Sequence, residues 1–343
     1  MTTTHVEKTA QALVADGKGI LAVDETVATL TRCFDALRIE STAESRRAYR
    51  ELFFTTPGIS ALISGVVLHD ETIRQRNARG IPLADLLAQQ GIIPGIKVDH
   101  GVAPLVRSPR EYVTEGLDGL SRRLEQYREL GARFAKWRGV ITVTDVLPTA
   151  MCTRANAEAM ARCAGICQAH GLVPIVQPEV LMEGSHTIDR CEAVTGEVLH
   201  AVFDALHDHR VCLEGMLLHP NMVLPGLASV RPASLNEIVS ATVRCLRRHV
   251  PPAVPGIVFL SGGQNRLAAT TQLSAINQQP GPKPWKLSFC YARALQDEAL
   301  RAWQGCNEHD AEAQRAFHHR AKCLSAAVLG GYTPALEREA AVA

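Results

Sequence analysis

Charged and polar side chains interrupt several short apolar runs of this sequence, in pairs two residues apart. Lys136 and Arg138 lie inside the run FAKWRGV, and Gln177 and Glu179 lie inside VPIVQPEV. Residues spaced in this way share one face of a β-strand. Because a charge buried in an apolar strand is costly unless it is paired, we expect these side chains to converge on a polar pocket. The alternative is an internal layer of ion pairs between the two cations and carboxylates such as Asp24 or Glu179.

Other apolar runs carry chemically capable residues at or near their ends. Asp24 follows GILAV, Lys97 and Asp99 end the run PGIKVD, and His219 and Asn221 lie within MLLHPNMV. Amines, carboxylates and imidazoles are the groups that serve as nucleophiles and as general acids or bases. These residues are therefore candidates for a catalytic site.

A possible anion site lies near the end of the chain. The seventh apolar run ends in Ser261, Gly262 and Gly263, and the eighth carries Arg293. Glycine amides together with an arginine can bind a phosphate group. The tripeptide alone is only a turn signal, but its place at the end of the seventh run favours a phosphate site.

The elements that must position these residues are eight apolar runs separated by amphipathic segments. The runs are GILAVD (19–24), ISGVVLH (63–69), PGIKVD (94–99), RFAKWRGVI (133–141), LVPIVQPEVL (172–181), MLLHPNMV (216–223), GIVFLSGG (256–263) and KLSFCYARA (286–294). The clearest helical segments are Glu115–Leu130 and Ala155–His170, each followed by a glycine. The pattern predicts a single-domain (β/α)8 TIM barrel over residues 1–343, with a short polar tail after about residue 333 that no pattern assigns to a helix or strand. An open doubly wound sheet is the alternative.

Composition excludes several classes of protein. With 36 basic and 35 acidic residues the formal net charge is +1, which leaves no excess charge to attract nucleic acid or a membrane surface. No signal peptide or membrane span is evident. The ten cysteines include no CxxC pair, so we expect reduced thiols and a cytoplasmic protein. The sequence predicts neither a bound metal nor another cofactor.

These motifs, taken together, resemble class I fructose-bisphosphate aldolase over nearly the whole chain. The matching runs are GKGILAVDET, RRAYRELFFTTPG, GIIPGIKVDHG, GARFAKWRGV, GLVPIVQPEVL, LEGMLLHPNMV, VPGIVFLSGGQ and LSFCYARALQ. The resemblance implies a phosphorylated ketose or triose as the small-molecule substrate, and a homotetramer. It makes Asp24 and Lys136 polar groups around the C3–C4 bond of the substrate, and Lys97 and Arg138 contacts for the distal phosphate.

The resemblance also implies two further groups of contacts. Ser261, Gly262 and Arg293 would hold the phosphate of the dihydroxyacetone half. Thr26 and Thr29 place hydroxyls where the family has serines near the distal phosphate.

Four departures from the family pattern lie where the chemistry takes place. The Schiff-base lysine of LLKPNM is His219, and the proton-shuttling glutamate of VPIVEPE is Gln177. The family's KVDKG reads KVDHG at His100, and its SYGRAL reads CYARAL at Cys290 and Ala292. A Schiff base needs a primary amine, and an amide cannot titrate. The family's usual mechanism is therefore not possible here.

The first functional hypothesis keeps an enzyme and moves the amine. Lys136 becomes the nucleophile with His219 as its base, similar to transaldolase, whose Schiff-base lysine lies on the fourth strand of a related barrel. Burial and the nearby cations Arg138 and Lys97 are expected to lower the pKa of Lys136 and so increase its neutral fraction. The reaction would be aldol cleavage, condensation or another enolisation of a dihydroxyacetone-phosphate-like substrate.

Two other hypotheses remain open. In one, His219 serves as general base or metal ligand, together with His100 and Glu179, and no covalent intermediate forms. In the other, the protein binds phosphosugars without catalysis. A turnover assay with dihydroxyacetone phosphate and a panel of aldehydes, beside a binding measurement, distinguishes the two enzyme hypotheses from the non-catalytic one.

Overall fold

Eight parallel strands close into a barrel in the computed structural model, which describes residues 3–341. In chain order the strands are β1 (Gly19–Val23), β2 (Ile63–Leu68), β3 (Ile93–Lys97), β4 (Val102–Pro104), β5 (Tyr112–Thr114), β6 (Phe134–Ile141), β7 (Val173–Val180), β8 (Leu217–Leu218), β9 (Gly256–Phe259) and β10 (Lys286–Tyr291). Neighbours around the barrel are β1, β10, β9, β8, β7, β6, β3 and β2, while β4 and β5 form a separate antiparallel pair. The predicted (β/α)8 barrel is confirmed, and the open sheet is wrong. The outermost residues of the predicted domain, 1–2 and 342–343, lie outside the described part.

Helices follow the barrel strands and cover their outer face, except for the first helix, which precedes β1. They are α1 (Thr3–Leu13), α2 (Val27–Asp35), α3 (Ala43–Phe54), α4 (Asp70–Arg74), α5 (Leu83–Gln89), α6 (Leu120–Glu129), α7 (Ala150–Ala169), α8 (Ile188–Asp208), α9 (Leu235–His249), α10 (Arg266–Gln278), α11 (Arg293–Trp303) and α12 (Asp310–Val328). Across the described residues, no helix has both the length and the apolar character needed to span a bilayer.

The two helices predicted in detail have shifted starting points. Helix α6 begins at Leu120, five residues later than expected from Glu115, because Gly119 adopts a left-handed conformation just before it. Helix α7 begins at Ala150, five residues earlier than expected, because the Thr149 hydroxyl accepts a hydrogen bond from the amide of Cys152. Both helices end within one residue of the predicted position.

The sixth and seventh predicted strands are shorter than their apolar runs. Strand β8 has only two residues, although the amide of His219 still donates to the carbonyl of Val176 at 2.8 Å. The next residue, Pro220, has no amide hydrogen with which to continue the ladder. Strand β9 ends at Phe259, and the run continues as a turn in which Gly262 and Gly263 have φ values of +55° and +84°.

Side chains of the barrel strands alternate between two apolar clusters. Phe134 packs inside the barrel with Ile175 and Leu217, whereas Ala135 and Trp137 belong to the larger cluster between strands and helices. Helix α1 contributes Val6, Ala10 and Leu13 to the inner cluster, and Val14 directly after it joins them, on the side where the strands begin. The inward-facing residues beyond this cluster are therefore polar, and they lie towards the carboxyl ends of the strands.

The segment after residue 333, for which no structure was predicted, contains a 3-10 helix over Leu336–Ala341. Its Glu337 carboxylate accepts hydrogen bonds from Arg320 at 2.5 Å and from the Tyr332 hydroxyl at 2.9 Å. Arg320 is a buried residue of α12. Contacts with α12 therefore fix the position of this segment.

Candidate active site

An ion pair crosses the interior of the barrel near its open end. Nζ of Lys136, on β6, lies 2.6 Å from Oδ2 of Asp24, which follows β1. Burial alone would raise the pKa of Asp24, but the charge and hydrogen bond of Lys136 outweigh it and the pKa is lowered. Burial alone would lower the pKa of Lys136, but the charge of Asp24, the charge of Cys290 and the hydrogen bond to Asp24 together outweigh it and the pKa is raised. The prediction of a lowered Lys136 pKa is therefore wrong, because the carboxylate is closer than the cations.

Two further cations of the barrel are paired with carboxylates. Nζ of Lys97 lies 3.0 Å from Oδ1 of Asp99, and Nε of Arg138 lies 2.5 Å from Oε2 of Glu179. Arg138 is thus directed towards β7 rather than towards Lys136. The internal ion-pair layer, considered above as an alternative, is the arrangement observed. The predicted convergence of the charged side chains on the interior of the barrel is also observed.

His219 directly follows β8 and is buried, with 2% of its surface exposed. Its Nε2 lies 3.1 Å from the carbonyl oxygen of Cys290. Since a carbonyl only accepts hydrogen bonds, Nε2 carries the proton and Nδ1 carries a lone pair, which has no hydrogen-bond partner among the described residues. Burial, and then the charge of Lys136, lower the pKa of His219 to about 3.

The imidazole is therefore neutral at physiological pH and a weak base. This contradicts its predicted role as the base that activates Lys136, which needs a pKa near the working pH. Nor do His219, His100 and Glu179 form a cluster of metal ligands within the described part of the chain.

Gln177 is a buried residue of β7, the strand that pairs with β8. Its Nε2 donates to Oε2 of Glu179 at 2.9 Å, and its Oε1 has no partner within residues 3–341. The hydrogen bond to Glu179 fixes the orientation of the amide. Oε1 is left to accept a hydrogen bond from a ligand, but the amide cannot transfer a proton.

The turn after β9 presents unpaired donors to a small surface cavity. The amides of Ser261, Gly262 and Gly263 donate no hydrogen bond within the described residues. Ser261, Gly263 and Arg293 line a polar cavity of about 220 Å³. Arg293, the first residue of α11, is exposed and has no ion-pair partner in the described chain, unlike the three paired cations above. Free amides and a guanidinium without an ion pair are groups that can bind an anion.

Comparison with known proteins finds one family that matches nearly the whole chain. The family model of class-I fructose-bisphosphate aldolase matches residues 5–343. The chain belongs to this family. A probable class 1 fructose-bisphosphate aldolase of Xylella fastidiosa is 50% identical over 331 residues, covering 96% of this chain and 99% of the relative. Fructose-bisphosphate aldolase B of Bos taurus is 48% identical over 328 residues, covering 95% and 90%.

A solved structure of a family member has the same fold. The co-crystal structure of fructose-bisphosphate aldolase from Plasmodium falciparum with TRAP and a small-molecule inhibitor superposes with a TM-score of 0.94. The two chains are 46% identical, and the match covers 96% of this chain and 95% of that one.

Thr26, Thr29 and Ala292 are the remaining residues that the family resemblance singled out. Thr26 caps α2, its hydroxyl accepting from the amide of Thr29, and the two hydroxyls are 3.0 Å apart. Ala292, where the family has glycine, precedes α11 with φ −101° and ψ −99°, and its methyl group packs against the inner barrel cluster. The extra methyl group is thus accommodated by apolar packing beside the cavity that Arg293 lines.

Sequence reasoning missed Glu25. Burial, followed by the charge of Asp24, raises its pKa to about 7. Its Oε1 accepts from Nε2 of Gln296 at 3.1 Å, and Tyr49 donates to Oε1 of that same glutamine at 3.0 Å. Glu25 lies beyond the end of β1, so the two-residue period of the strand does not single it out. Its pKa therefore lies near neutrality, unlike the pKa values of Asp24, Lys136 and His219.

Proposed function

We propose that this aldolase-family protein binds a phosphorylated ketose or triose at the mouth of the barrel without forming the family's Schiff base. The observation that carries the proposal is the state of His219. His219 is a neutral imidazole hydrogen-bonded to the carbonyl of Cys290, and by the sequence resemblance it stands where the family has its reactive amine. Imidazole cannot form the doubly bonded nitrogen of a Schiff base, so binding is retained and covalent cleavage is lost.

The charge pattern favours a ligand with one phosphate. The amides of Ser261–Gly263 have no hydrogen-bond partner among the described residues and Arg293 has no ion pair there, although Asp297 and Glu298 also line the cavity. At the distal position, by contrast, Lys97 and Arg138 are already neutralised by Asp99 and Glu179. A second phosphate would have to displace those carboxylates, which opposes its binding. The binding free energy per phosphate group should therefore be more favourable for dihydroxyacetone phosphate than for fructose 1,6-bisphosphate.

Titration calorimetry with dihydroxyacetone phosphate tests this proposal. Arg293→Ala should weaken binding at least about ten-fold, since a hydrogen bond to a charged group contributes about 1.5–3 kcal/mol. Arg122→Ala, which removes an exposed arginine of α6, is the charge-matched control and should bind like the wild type. Equal and poor binding by all three proteins would overturn the proposal.

A second candidate function is an aldolase reaction that uses Lys136 as the amine. Its support is the place of a buried primary amine inside the barrel; the ion pair with Asp24, 2.6 Å from Nζ, raises the pKa of Lys136, so the ammonium must lose a proton before it attacks a ketone. Borohydride reduction with dihydroxyacetone phosphate, followed by peptide mass spectrometry, should then place an adduct on the FAKWR segment. An adduct on Lys97 would move the nucleophile to β3, and the absence of any adduct would leave the binding function alone.

The family resemblance further supports a homotetramer, and we infer a cytoplasmic location. A relative of Arabidopsis thaliana, 50% identical over 316 residues, is named as a cytosolic aldolase. Light scattering of the purified protein tests the tetramer, and cell fractionation tests the location. A monomeric mass, or recovery with the membrane fraction, would refute the respective inference.

A further inference from the structure

Three residues with metal-binding side chains meet on the outer side of the barrel, outside the site described above. His319 and Cys323 lie one turn apart on α12, and Glu337 lies on the 3-10 helix that follows. One ligand atom of each lies within 4.8 Å of the others. Within the described residues this is the one group of three or more such side chains at that spacing.

We propose that His319, Cys323 and Glu337 form a binding site for a divalent cation of the zinc class. The distance from Nε2 of His319 to Sγ of Cys323 is 3.6 Å. Zinc bonds of about 2.0–2.1 Å to nitrogen and about 2.3 Å to sulfur, at a tetrahedral angle, separate the two ligands by about 3.5 Å. The imidazole and the thiol therefore already have the spacing of two zinc ligands.

The carboxylate is held in place by neighbouring groups. Arg320 and Tyr332 both donate to Oε1 of Glu337, and neither donates to Oε2. Hydrogen-bonded carboxylates are typical of metal sites, because such partners fix the orientation of the ligand. His319 is half-buried and Cys323 is buried, so the site is shielded on one side and accessible to solvent on the other.

The ligand types select the cation. A thiolate, an imidazole and a carboxylate suit zinc, whereas magnesium and calcium prefer oxygen ligands alone. Binding requires the Cys323 thiol to lose its proton, and one proton is released for each cation bound. The cation would join the C-terminal segment to α12, because Glu337 is the ligand that comes from that segment. A hydrogen bond between thiol and imidazole, without any cation, is the competing explanation of the 3.6 Å distance.

Cobalt titration of the chelator-treated full-length protein decides between the two explanations. Co²⁺ should bind with one equivalent and produce a thiolate-to-cobalt charge-transfer band together with the visible bands of tetrahedral cobalt. Zinc should displace it. Because one proton is released, the apparent affinity should fall about ten-fold per pH unit as the solution is acidified.

Variants place the cation at this site. Cys323→Ser should lose the charge-transfer band, and His319→Gln should weaken cobalt binding at least about ten-fold. The matched control is Cys306→Ser, because Cys306 is a half-buried free thiol outside the cluster, and this variant should keep the band.

Two results would overturn the proposal. The first is the absence of a charge-transfer band in the wild-type protein, a result that does not depend on whether any variant folds. The second is a band that survives in Cys323→Ser and disappears in Cys212→Ser. That outcome would place the cation at the thiol near Glu7 and Glu214.

Discussion

Replacing Asp24 by asparagine should strongly destabilise the protein, because it leaves the Lys136 ammonium buried without its partner. The two side chains are only 10% and 8% exposed and lie 2.6 Å apart. Removing one member of a buried pair costs about 3–5 kcal/mol. Asp16→Asn is the matched control, since Asp16 pairs with Lys286 at 2.7 Å but the side chains are 76% and 59% exposed. That change should cost no more than about 1 kcal/mol.

The dependence on pH identifies the cause of the loss. In the variant, burial acts on Lys136 without the opposing carboxylate, so its pKa falls below that of the unfolded chain. The unfolded state then binds more protons between the two pKa values, and stability rises with pH through that window. The deficit relative to the wild type should therefore shrink as the pH approaches 10. It should also shrink in acid, where the wild type loses the contribution of Asp24, whose folded-state pKa is lowered.

Urea unfolding measures this prediction. The fluorescence of Trp137, which is buried on β6 beside Lys136, reports the transition. The free energy of unfolding should be determined for the wild type and for both variants at pH 7 and at pH 9.5. Equal losses in Asp24→Asn and Asp16→Asn, or a loss in Asp24→Asn that does not change with pH, would refute the reasoning.

Three further variants should change the pH dependence of thermal stability, each through a different titratable group. His219→Gln keeps a donor for the Cys290 carbonyl and removes a group whose pKa drops from 6.5 to about 3 on folding. In the wild type this group lowers the stability by an amount on the order of 5 kcal/mol as the pH falls from 6.5 to 3, and the variant should lessen that loss. Glu25→Gln removes a carboxyl with a pKa raised to about 7, so it should stabilise the protein above pH 7 and leave it unchanged below pH 4. Gln177→Glu places a second carboxyl beside Glu179, which should raise the pKa of the pair and lower stability at pH 8, with recovery towards pH 5. Melting curves over a pH series test all three, and a parallel shift at every pH would contradict the assignment to titration.

Local sequence predicted the strands and the faces of their side chains, because both follow from a two-residue period. Lys136 and Arg138 face the interior as expected, on the same side as Phe134. The end of the sixth strand was less predictable. Leu217 and Leu218 are its only residues, although the apolar run continues, because Pro220 interrupts the ladder.

Pairing across the barrel could not be derived from the sequence. Which carboxylate meets Lys136 depends on how β1 and β6 face each other after the barrel closes, and that choice sets the sign of the pKa shift. The same holds for Glu25, whose pKa is set by burial and by Asp24 together. The contact of Glu337 with α12 is likewise tertiary, and no local pattern marks it. Local periodicity therefore places the side chains, and long-range packing determines their charge state.

The cleavage rate of fructose 1,6-bisphosphate by the wild-type protein tests the central claim most directly. The reference is a family member that retains the amine and the titratable carboxyl, and the variant that carries both His219→Lys and Gln177→Glu introduces these two groups into this chain. We predict that the wild type is at least about 10³-fold slower than a family member that retains both groups, because covalent catalysis and proton transfer are lost together. The double variant should recover part of the rate. Cleavage by the wild type at a rate ordinary for the family would contradict the account, since it would require a covalent or acid–base route that His219 and Gln177 do not provide.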